Sequence, residues 1–170
     1  MATPNIEIRR VDAEKILDLR HRILRAGLPP DSARFDGDEA ASTLHLAVFA
    51  LDASGGAEGL PMACLSLMLN SFQNEPAWQL RGMAVDDPHQ GRGLGRELLE
   101  QAEEAAAAEG QAGLLWCNAR VPATGFYQKQ GWTIVSEVFE IPAAGPHVRM
   151  SKRLKCANRR ESVEKPPGKG

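Results

Sequence analysis

The stretch that decides the fold spans residues 83–96 and reads Met83-Ala84-Val85-Asp86-Asp87-Pro88-His89-Gln90-Gly91-Arg92-Gly93-Leu94-Gly95-Arg96. The residues that lead into it, 78–85, are apolar enough for a half-buried strand. Pro88 ends that strand because proline has no N–H to donate to a neighbouring strand. From Leu94 onward, apolar residues recur at the spacing of one helix face. The stretch therefore predicts a strand, a glycine-rich loop and a helix in succession.

The loop between this strand and helix has the features of an anion site. Its glycines let backbone N–H groups approach a ligand closely, and the N-terminus of the helix carries partial positive charge. Arg92 and Arg96 add full positive charge at the same end. We therefore predict that the loop binds a phosphate group, with a merely flexible connection as the alternative.

Two common types of phosphate-binding loop do not match this sequence. No Gly-Lys-Ser/Thr follows, so the loop lacks the lysine and the magnesium ligand of a Walker loop. Gly91, Gly93 and Gly95 alternate, and no acidic residue ends a strand about 20 residues later, as a dinucleotide-binding fingerprint requires. The spacing that remains is Gln-x-x-Gly-x-Gly, formed by Gln90, Gly93 and Gly95.

The composition is that of an ordinary globular protein, with 43% hydrophobic and 25% charged residues. We assign residues 1–154 to a single domain and residues 155–170, which lose apolar periodicity, to a disordered basic tail. The net charge of −2 argues against a nucleic-acid partner, and no apolar run is long enough to predict a membrane span. The three cysteines lack metal-ligand spacing and the N-terminus lacks a signal peptide, so we expect a cytoplasmic location, no disulfide and no metal.

The periodicity of the chain predicts strands and helices in mixed order. Asp12 is expected to cap the first helix, whose arginines are expected to point outward. Three consecutive strands before the glycine loop indicate an antiparallel meander, and the helical crossover after it implies a parallel pair. The predicted strands are 5–11, 43–51, 60–69, 77–85, 113–119, 132–139 and 148–154, and the predicted helices are 12–26, 94–109 and 121–130.

The loop at residues 28–42 is rich in acids, with Asp31, Asp36, Asp38 and Glu39. The simpler interpretation, which we prefer, is a solvated loop. The alternative is an attractive field for a cationic amine.

A second group of residues makes the pattern specific to one family. Asn118 lies near the end of a predicted strand, and the segment after it reads Ala123-Thr124-Gly125-Phe126-Tyr127-Gln128-Lys129-Gln130-Gly131-Trp132. Together with the Gln-x-x-Gly-x-Gly loop, this resembles the GNAT acetyltransferase superfamily, which has Ala-x-x-Phe-Tyr-x-x-x-Gly-Phe after such an asparagine. Trp132 replaces the usual phenylalanine. The resemblance covers residues 5–154 and is most specific over 83–132.

The resemblance implies an α/β fold with a twisted, mostly antiparallel mixed sheet, flanked by helices and splayed between its two central parallel strands. It also implies acetyl-CoA as cosubstrate. Backbone groups of Met83, Ala84 and Val85 would bind the pantetheine arm, and Asn118 would bind the coenzyme from the opposite strand. The pyrophosphate would bind at Gln90, Gly91, Arg92, Gly93, Leu94, Gly95 and Arg96, and the resemblance adds Phe126 and Lys129 to the coenzyme site.

By the same resemblance, the reaction is direct acetyl transfer to an amine in a ternary complex, with Tyr127 as general acid. The strand before the loop offers no carboxylate as base. His147 is a candidate, because histidine changes charge near neutral pH, although a loop residue with no such role is the interpretation that we prefer. Glu137 and Glu140 are further candidates. Cys117 is expected to be a small core residue, because no histidine or acid flanks it.

The alternative function is a non-catalytic acyl-CoA-binding or sensor module, which the missing strand carboxylate favours. A generic nucleotide-binding protein is disfavoured by the absent lysine and magnesium ligands. The sequence does not identify the acceptor amine; the acidic loop favours a cationic small molecule over a protein. Dimers are common in the family, so a homodimer is compatible with the resemblance.

Overall fold

Strands dominate the computed structural model, which describes residues 5–155. This part of the chain contains eight strands and three α-helices. Their bounds in chain order are β1 Ile6–Arg10, α1 Leu17–Leu24, β2 Leu44–Leu51, β3 Ala57–Phe72, β4 Glu75–Val85, α2 Leu94–Glu109, β5 Leu114–Arg120, α3 Thr124–Lys129, β6 Thr133–Ile134, β7 Phe139–Ile141 and β8 Gly145–Arg153.

All eight strands belong to one mixed sheet in the order β1-β2-β3-β4-β5-β8-β6, with β7 also paired to β8. Every neighbouring pair is antiparallel except β4 and β5, which are parallel and joined through α2. The predicted α/β fold, with a β2-β3-β4 meander and a central parallel pair, is therefore confirmed.

The central pair is joined only at its beginning. Its register comprises three positions, Trp78↔Leu115, Gln79↔Trp116 and Leu80↔Cys117. Beyond them β4 stays paired with β3 as far as Val85, and β5 stays paired with β8 as far as Arg120. Residues 81–85 and 118–120 thus diverge from each other within the described sheet, which confirms the predicted splay.

A bulge at Gly82 contributes to this divergence. The β3–β4 register shifts by one residue between Cys64 and Ser66, opposite the segment that contains Gly82. Gly82 has a φ of +61°, and a Cβ there would lie 2.8 Å from Nε of Arg20 and 3.0 Å from Cε2 of Phe35. Glycine is therefore required by both conformation and space. Because a bulge bends its strand and increases the local twist, it turns the end of β4 away from β5.

Helices cover both faces of the sheet. The apolar face of α2 packs on one side, against strand residues such as Leu65, Trp78 and Met150. On the other side, Ile16 and Leu19 pack against Ala47, Phe49, Cys64 and Ala84. The buried residues of α2 are Leu94, Leu98, Leu99, Ala102 and Ala106, at the helical spacing that the sequence predicts.

The first predicted helix is shorter than expected and partly wrong in its details. A 3-10 turn at Ala13–Lys15 precedes α1, and the side chain of Asp12 makes no capping hydrogen bond. The prediction that its arginines point outward is wrong for Arg20, which is completely buried. Its buried ion pair, described below, explains how the charge is accommodated.

The predicted strand at 132–139 is interrupted, with only Thr133–Ile134 and Phe139–Ile141 in the sheet. Between them Ser136 Oγ accepts the backbone N–H of Arg149 at 2.8 Å, which replaces a strand-to-strand hydrogen bond. The last strand begins at Gly145 rather than residue 148, and a 3-10 turn at Val121–Ala123 precedes α3. The predicted tail lies outside the described residues except for Lys155. Within residues 5–155, no helix combines the length and apolarity that crossing a bilayer would take.

Candidate active site

The gap between β4 and β5 opens into a cavity of about 220 Å³. Both strands contribute walls, from residues 79–83 and 117–120, and other elements close the cavity around them. These additional lining residues are Leu24, Arg25 and Phe35 on one side and Ala123, Tyr127, Ile141, Ala144 and His147 on the other. The cavity therefore lies where the parallel pairing ends.

The glycine loop ends at an α-helix N-terminus that lacks a side-chain cap. Gly93 is the N-cap residue of α2, with a φ of +80° and no capping side chain. A Cβ at Gly93 would meet no atom within 4 Å, so the space above it is open. Since the first N–H groups of a helix have no partner within the helix, those that follow Gly93 can donate to an anion. Arg92 and Arg96 lie exposed beside them.

The Gln90 side chain connects the loop to the strand before it. Its Nε2 donates to the Val85 carbonyl oxygen and to Asp87 Oδ1, both at 3.0 Å. These contacts fix the loop relative to the end of β4. Gln90, predicted as a coenzyme residue, thus already has two partners within the protein. Its side chain can contribute to ligand binding by holding the loop in place.

Gly95 and Phe126 form a packing contact between α2, α3 and β4. A Cβ at Gly95 would lie 3.3 Å from Cε of Met83 and 3.4 Å from Cζ of Phe126. The Phe126 ring packs edge-on against Tyr127, with 5.2 Å between ring centroids. Lys129 lies apart from the β4–β5 gap, on a second cavity lined by Glu100, Glu103 and Glu104 among others.

Tyr127 is buried at the wall of the cavity. Its hydroxyl donates to Met83 Sδ at 3.6 Å, a weak acceptor. Burial raises its pKa far above the ordinary value, and the neighbouring Cys117 adds to the rise. The phenol therefore stays protonated near neutral pH and keeps a proton at the cavity wall.

His147 lies in β8 and not in a loop, opposite Arg120 of β5. It is buried and lines the cavity. Its Nδ1 lies 2.8 Å from the Gly145 carbonyl oxygen, and because a carbonyl can only accept, Nδ1 carries the hydrogen. In the neutral ring Nε2 is then the acceptor. The other acids considered as bases, Glu137 and Glu140, are exposed and are absent from the cavity wall.

Asn118 and Cys117 lie next to each other in β5 and both line the cavity. The side of β5 that carries Asn118 is accessible, since Asn118 is exposed. Cys117 is buried, and burial raises the pKa of its thiol to about 12. Such a thiol is hardly ever ionised near neutral pH, which supports a core role for Cys117 rather than a nucleophilic one.

Sequence analysis missed Arg25, Phe35, Arg81 and Arg120 as cavity residues. Strand alternation was the available signal for Arg120, since residues two apart in a strand share a face and Asn118 had been identified. Nothing local indicated that Arg25 and Phe35 would reach the same cavity, because Arg25 directly follows α1 and Phe35 lies in the loop before β2.

The acids of the loop at residues 28–42 do not line the cavity. Asp38 is buried and accepts from Arg20 Nη1 at 2.7 Å and from the Phe35 N–H at 2.8 Å. Burial alone would raise its pKa, but these hydrogen bonds outweigh it and lower the pKa. No Asp or Glu lines the cavity in the described part of the chain. The interpretation of the loop as solvated is therefore wrong for Asp38, which is buried and paired with Arg20.

Comparison with known proteins agrees with this geometry. The sequence model of the Acetyltransferase (GNAT) family matches residues 15–132. The chain is 32% identical to an uncharacterized N-acetyltransferase of Bacillus subtilis (strain 168), YitI, over 158 residues that cover 89% of this chain and 99% of the relative. A second Bacillus subtilis relative, YjcF, is 34% identical over 74 residues, or 44% of this chain and 52% of YjcF.

Solved structures share the fold at low sequence identity. Escherichia coli ElaA superposes with a TM-score of 0.70 at 17% identity, covering 87% of this chain and 99% of ElaA. An aminoglycoside 6'-N-acetyltransferase, crystallised in complex with coenzyme A, superposes with a TM-score of 0.66 at 15% identity, covering 88% and 97% of the two chains. With the family match extending over most of the chain, these findings show that the protein belongs to the GNAT acetyltransferase family of enzymes.

Proposed function

We propose that this protein transfers an acetyl group from acetyl-CoA directly to an amine, with both substrates bound together. The observation that carries the proposal is the open end of the β4–β5 pair, which lies beside a helix N-terminus without a side-chain cap. A slot between strands can take the thioester arm, while the uncapped N–H groups take the diphosphate.

The coenzyme residues follow from this placement. Backbone groups of residues 83–85 bind the pantetheine arm, and Asn118 contacts it from β5. The loop at 90–96 binds the diphosphate through main-chain N–H groups, with Arg92 and Arg96 adding charge. Phe126 supports this end of the helix through its contact with Gly95. Lys129 stays a prediction for the outer part of the coenzyme, since it lies away from the gap.

The reaction is addition of a neutral amine nitrogen to the thioester carbonyl carbon. The C–N bond forms, the C–S bond breaks, the nitrogen loses one proton and the departing sulfur gains one. A backbone N–H at the open edge of β4 stabilises the negative charge that develops on the carbonyl oxygen, because splayed strands leave such donors without a strand partner.

Tyr127 is the proposed general acid. Its buried hydroxyl is protonated, lines the cavity and has only a weak thioether acceptor, Met83 Sδ, among the described residues. A phenol in that situation can donate to a departing thiolate at little cost in lost hydrogen bonding.

His147 is the proposed base, acting directly or through one water molecule. Its Nδ1–H is oriented by the Gly145 carbonyl, so the acceptor nitrogen Nε2 is available to the cavity that the residue lines. It is the histidine that lines this cavity in the described chain, where no carboxylate does.

Thermal unfolding with acetyl-CoA tests the coenzyme site. Millimolar acetyl-CoA should raise the Tm by mass action, and free adenine nucleotides should raise it less. Gly93→Val should abolish the shift, because the added side chain projects into the open space above the loop. Gly55→Val is the matched control, since Gly55 also has a positive φ (+83°) and open space but lies in a distant turn.

Strain should lower the starting Tm of both valine variants, but only Gly93→Val should lose the response to acetyl-CoA. A wild-type protein that shows no shift would contradict the proposed coenzyme site. Equal loss of response in both variants would attribute it to strain rather than to contact with the coenzyme.

The second candidate is an acyl-CoA-binding module without turnover. It is favoured by one observation, the absence of a carboxylate base from the described cavity wall. Thiol release from acetyl-CoA distinguishes the two candidates. An enzyme releases coenzyme A faster when a suitable amine is added, whereas a binding module shows the same slow release with every amine.

A further inference from the structure

The cavity wall is strongly positive. Arg25, Arg81 and Arg120 all line it, together with His147, and no Asp or Glu lines it within residues 5–155. None of the three arginines lies within 4.0 Å of a carboxylate oxygen of the described residues. Three arginines therefore line one small space, and none has an internal counter-charge in contact.

Arg81 is the most informative of the three. It is half-buried, its guanidinium carbon lies 4.5 Å from the centroid of the Phe35 ring, and its Nη1 lies 3.9 Å from Met68 Sδ. Loss of hydration and the nearby positive charge of Arg20 both lower its pKa. A partly desolvated cation beside another cation is costly unless an anion compensates it.

The charges of Asp38 and Asp36 oppose this lowering of the Arg81 pKa only in part, and neither carboxylate lies in contact with Arg81. Asp38 is buried and is engaged by Arg20, with contacts of 2.7 and 3.3 Å. Asp36 belongs to the same loop but is exposed and does not line the cavity. A carboxylate on a ligand in contact with Arg81 would supply at close range the compensation that these acids supply only from a distance.

The coenzyme is not the natural source of this anion. Its diphosphate is assigned to the uncapped N-terminus of α2, where Arg92 and Arg96 are available. The end of the coenzyme that enters the β4–β5 gap is a thioester arm without charge. The arginines of the cavity are thus left for the second substrate.

We propose that the acceptor amine carries a carboxylate, which Arg81 binds together with Arg25 or Arg120. This inference rests on the proposed acetyl transfer and names the class of its acceptor: small amino acids. A guanidinium matches a carboxylate through two parallel hydrogen bonds. The cavity of about 220 Å³ must hold the thioester end as well, which restricts the acceptor to a small molecule. Leu24, Phe35 and Ile141 provide apolar surface for the remainder of the acceptor.

Sets of acceptors that differ only at the carboxylate position test the proposal. The rate of coenzyme A release and the mass of the acetylated product are measured for each acceptor. Each amino acid is compared with its carboxamide and with the amine that decarboxylation would leave. For the amino acid that reacts best, kcat/KM should be about 10- to 100-fold higher than for its carboxamide or its decarboxylated amine. This is the range expected for a charge-assisted contact. The carboxamide is the closest control in shape, and because its α-amine is less basic, the rates are compared per neutral amine.

Arg81→Gln should raise KM for the carboxylate acceptor about tenfold and leave KM for its carboxamide unchanged. Arg120→Gln, at an exposed position of the same wall, provides a second variant with little risk to folding. The matched control is Arg9→Gln, since Arg9 also lies over a phenylalanine ring, Phe49, at 4.3 Å, but on β1. The Tm shift with acetyl-CoA verifies folding and coenzyme binding in each variant.

The outcomes separate this inference from the function on which it rests. The inference is supported if the wild type prefers carboxylate acceptors, if Arg81→Gln or Arg120→Gln removes that preference, and if Arg9→Gln retains it. Equal or better rates with carboxamides and decarboxylated amines overturn it and leave acetyl transfer intact. If acetyl-CoA binds but no acceptor speeds the release of coenzyme A from it, the proposed acetyl transfer is overturned, and the inference with it.

Discussion

Two arginines contact the same phenylalanine ring in opposite circumstances. Arg20 and Arg81 lie 4.0 and 4.5 Å from the centroid of Phe35. Arg20 donates to Asp38, to the Ala33 carbonyl oxygen and to Ser66 at 2.7 to 3.3 Å. Arg81 has no carboxylate in contact among the described residues and faces the cavity instead.

The difference distinguishes a charge that is paired within the fold from one that lines the cavity without a contacting carboxylate. The cluster around Arg20 is nearly saturated with internal hydrogen bonds, and His45 extends it by contacting Ser66 at 2.6 Å and the Asp38 carbonyl oxygen at 2.9 Å. Such a cluster fixes the loop at residues 33–38 against the sheet. The cavity, by contrast, is lined by polar residues such as Arg81 and Asn118 that are accessible to a ligand.

Removing the counter-charge of Arg20 should have the largest effect on stability. Asp38→Asn leaves a buried guanidinium without a carboxylate, and we expect a loss of about 3 to 5 kcal/mol in the free energy of unfolding. Urea denaturation provides the measurement. Asp36→Asn, an exposed acid of the same loop, is the control and should change little. Equal effects of the two substitutions would show that the Arg20 cluster is no more structural than the loop surface.

Removing the hydroxyl of Tyr127 should leave the fold intact and slow the chemistry. Tyr127→Phe keeps the ring packing against Phe126 and Trp132, whose ring centroids lie 5.2 and 5.4 Å away. Loss of a general acid should lower kcat about 100-fold, while the Tm shift with acetyl-CoA is retained. An unchanged kcat would remove Tyr127 from the mechanism.

Replacing the proposed base should have a smaller effect, because water can partly substitute for it. His147→Gln should lower kcat about tenfold, which is less than the usual contribution of a general base. The variant should retain the acetyl-CoA-induced Tm shift. His89→Gln, at a histidine in the 3-10 turn before the glycine loop, is the control. If kcat is the same in both variants and in the wild type, the amine loses its proton to solvent alone.

Acid should weaken the Arg20 cluster gradually. The pKa of Asp38 is lower in the folded protein than in the unfolded chain, so ionised Asp38 stabilises the fold above the unfolded value of about 4. That contribution is lost as pH falls through the lower, folded value. The stability gap between wild type and Asp38→Asn should therefore narrow as pH falls below about 4. A gap independent of pH would contradict the ionised pair.

Local patterns predicted most of the fold. The apolar spacing of α2, the proline and glycines around residues 88–95 and the crossover to β5 indicate the parallel pair, because each depends on neighbours in sequence. The interrupted strand after Trp132 was not predictable in the same way, since it depends on a contact between Ser136 and Arg149 that only the folded sheet creates.

The coenzyme side of the site was more accessible to sequence analysis than the acceptor side. Gln90, Gly93 and Asn118 belong to short motifs with a fixed spacing. The arginines of the cavity come from three separate parts of the chain. The sequence around Arg20 is that of an amphipathic surface helix, so it does not distinguish Arg20 from an exposed arginine. Burial and counter-charge distinguish Arg20 from Arg81, and both properties arise from contacts across the sheet.

A crystal structure of the protein with bound coenzyme A tests the central claim most directly. Our account predicts that the pantetheine arm lies between residues 81–85 of β4 and 118–120 of β5, with the diphosphate in hydrogen-bonding contact with N–H groups of residues 90–96. Coenzyme A bound elsewhere, with the open end of this strand pair left empty or closed by strand pairing, would contradict the account.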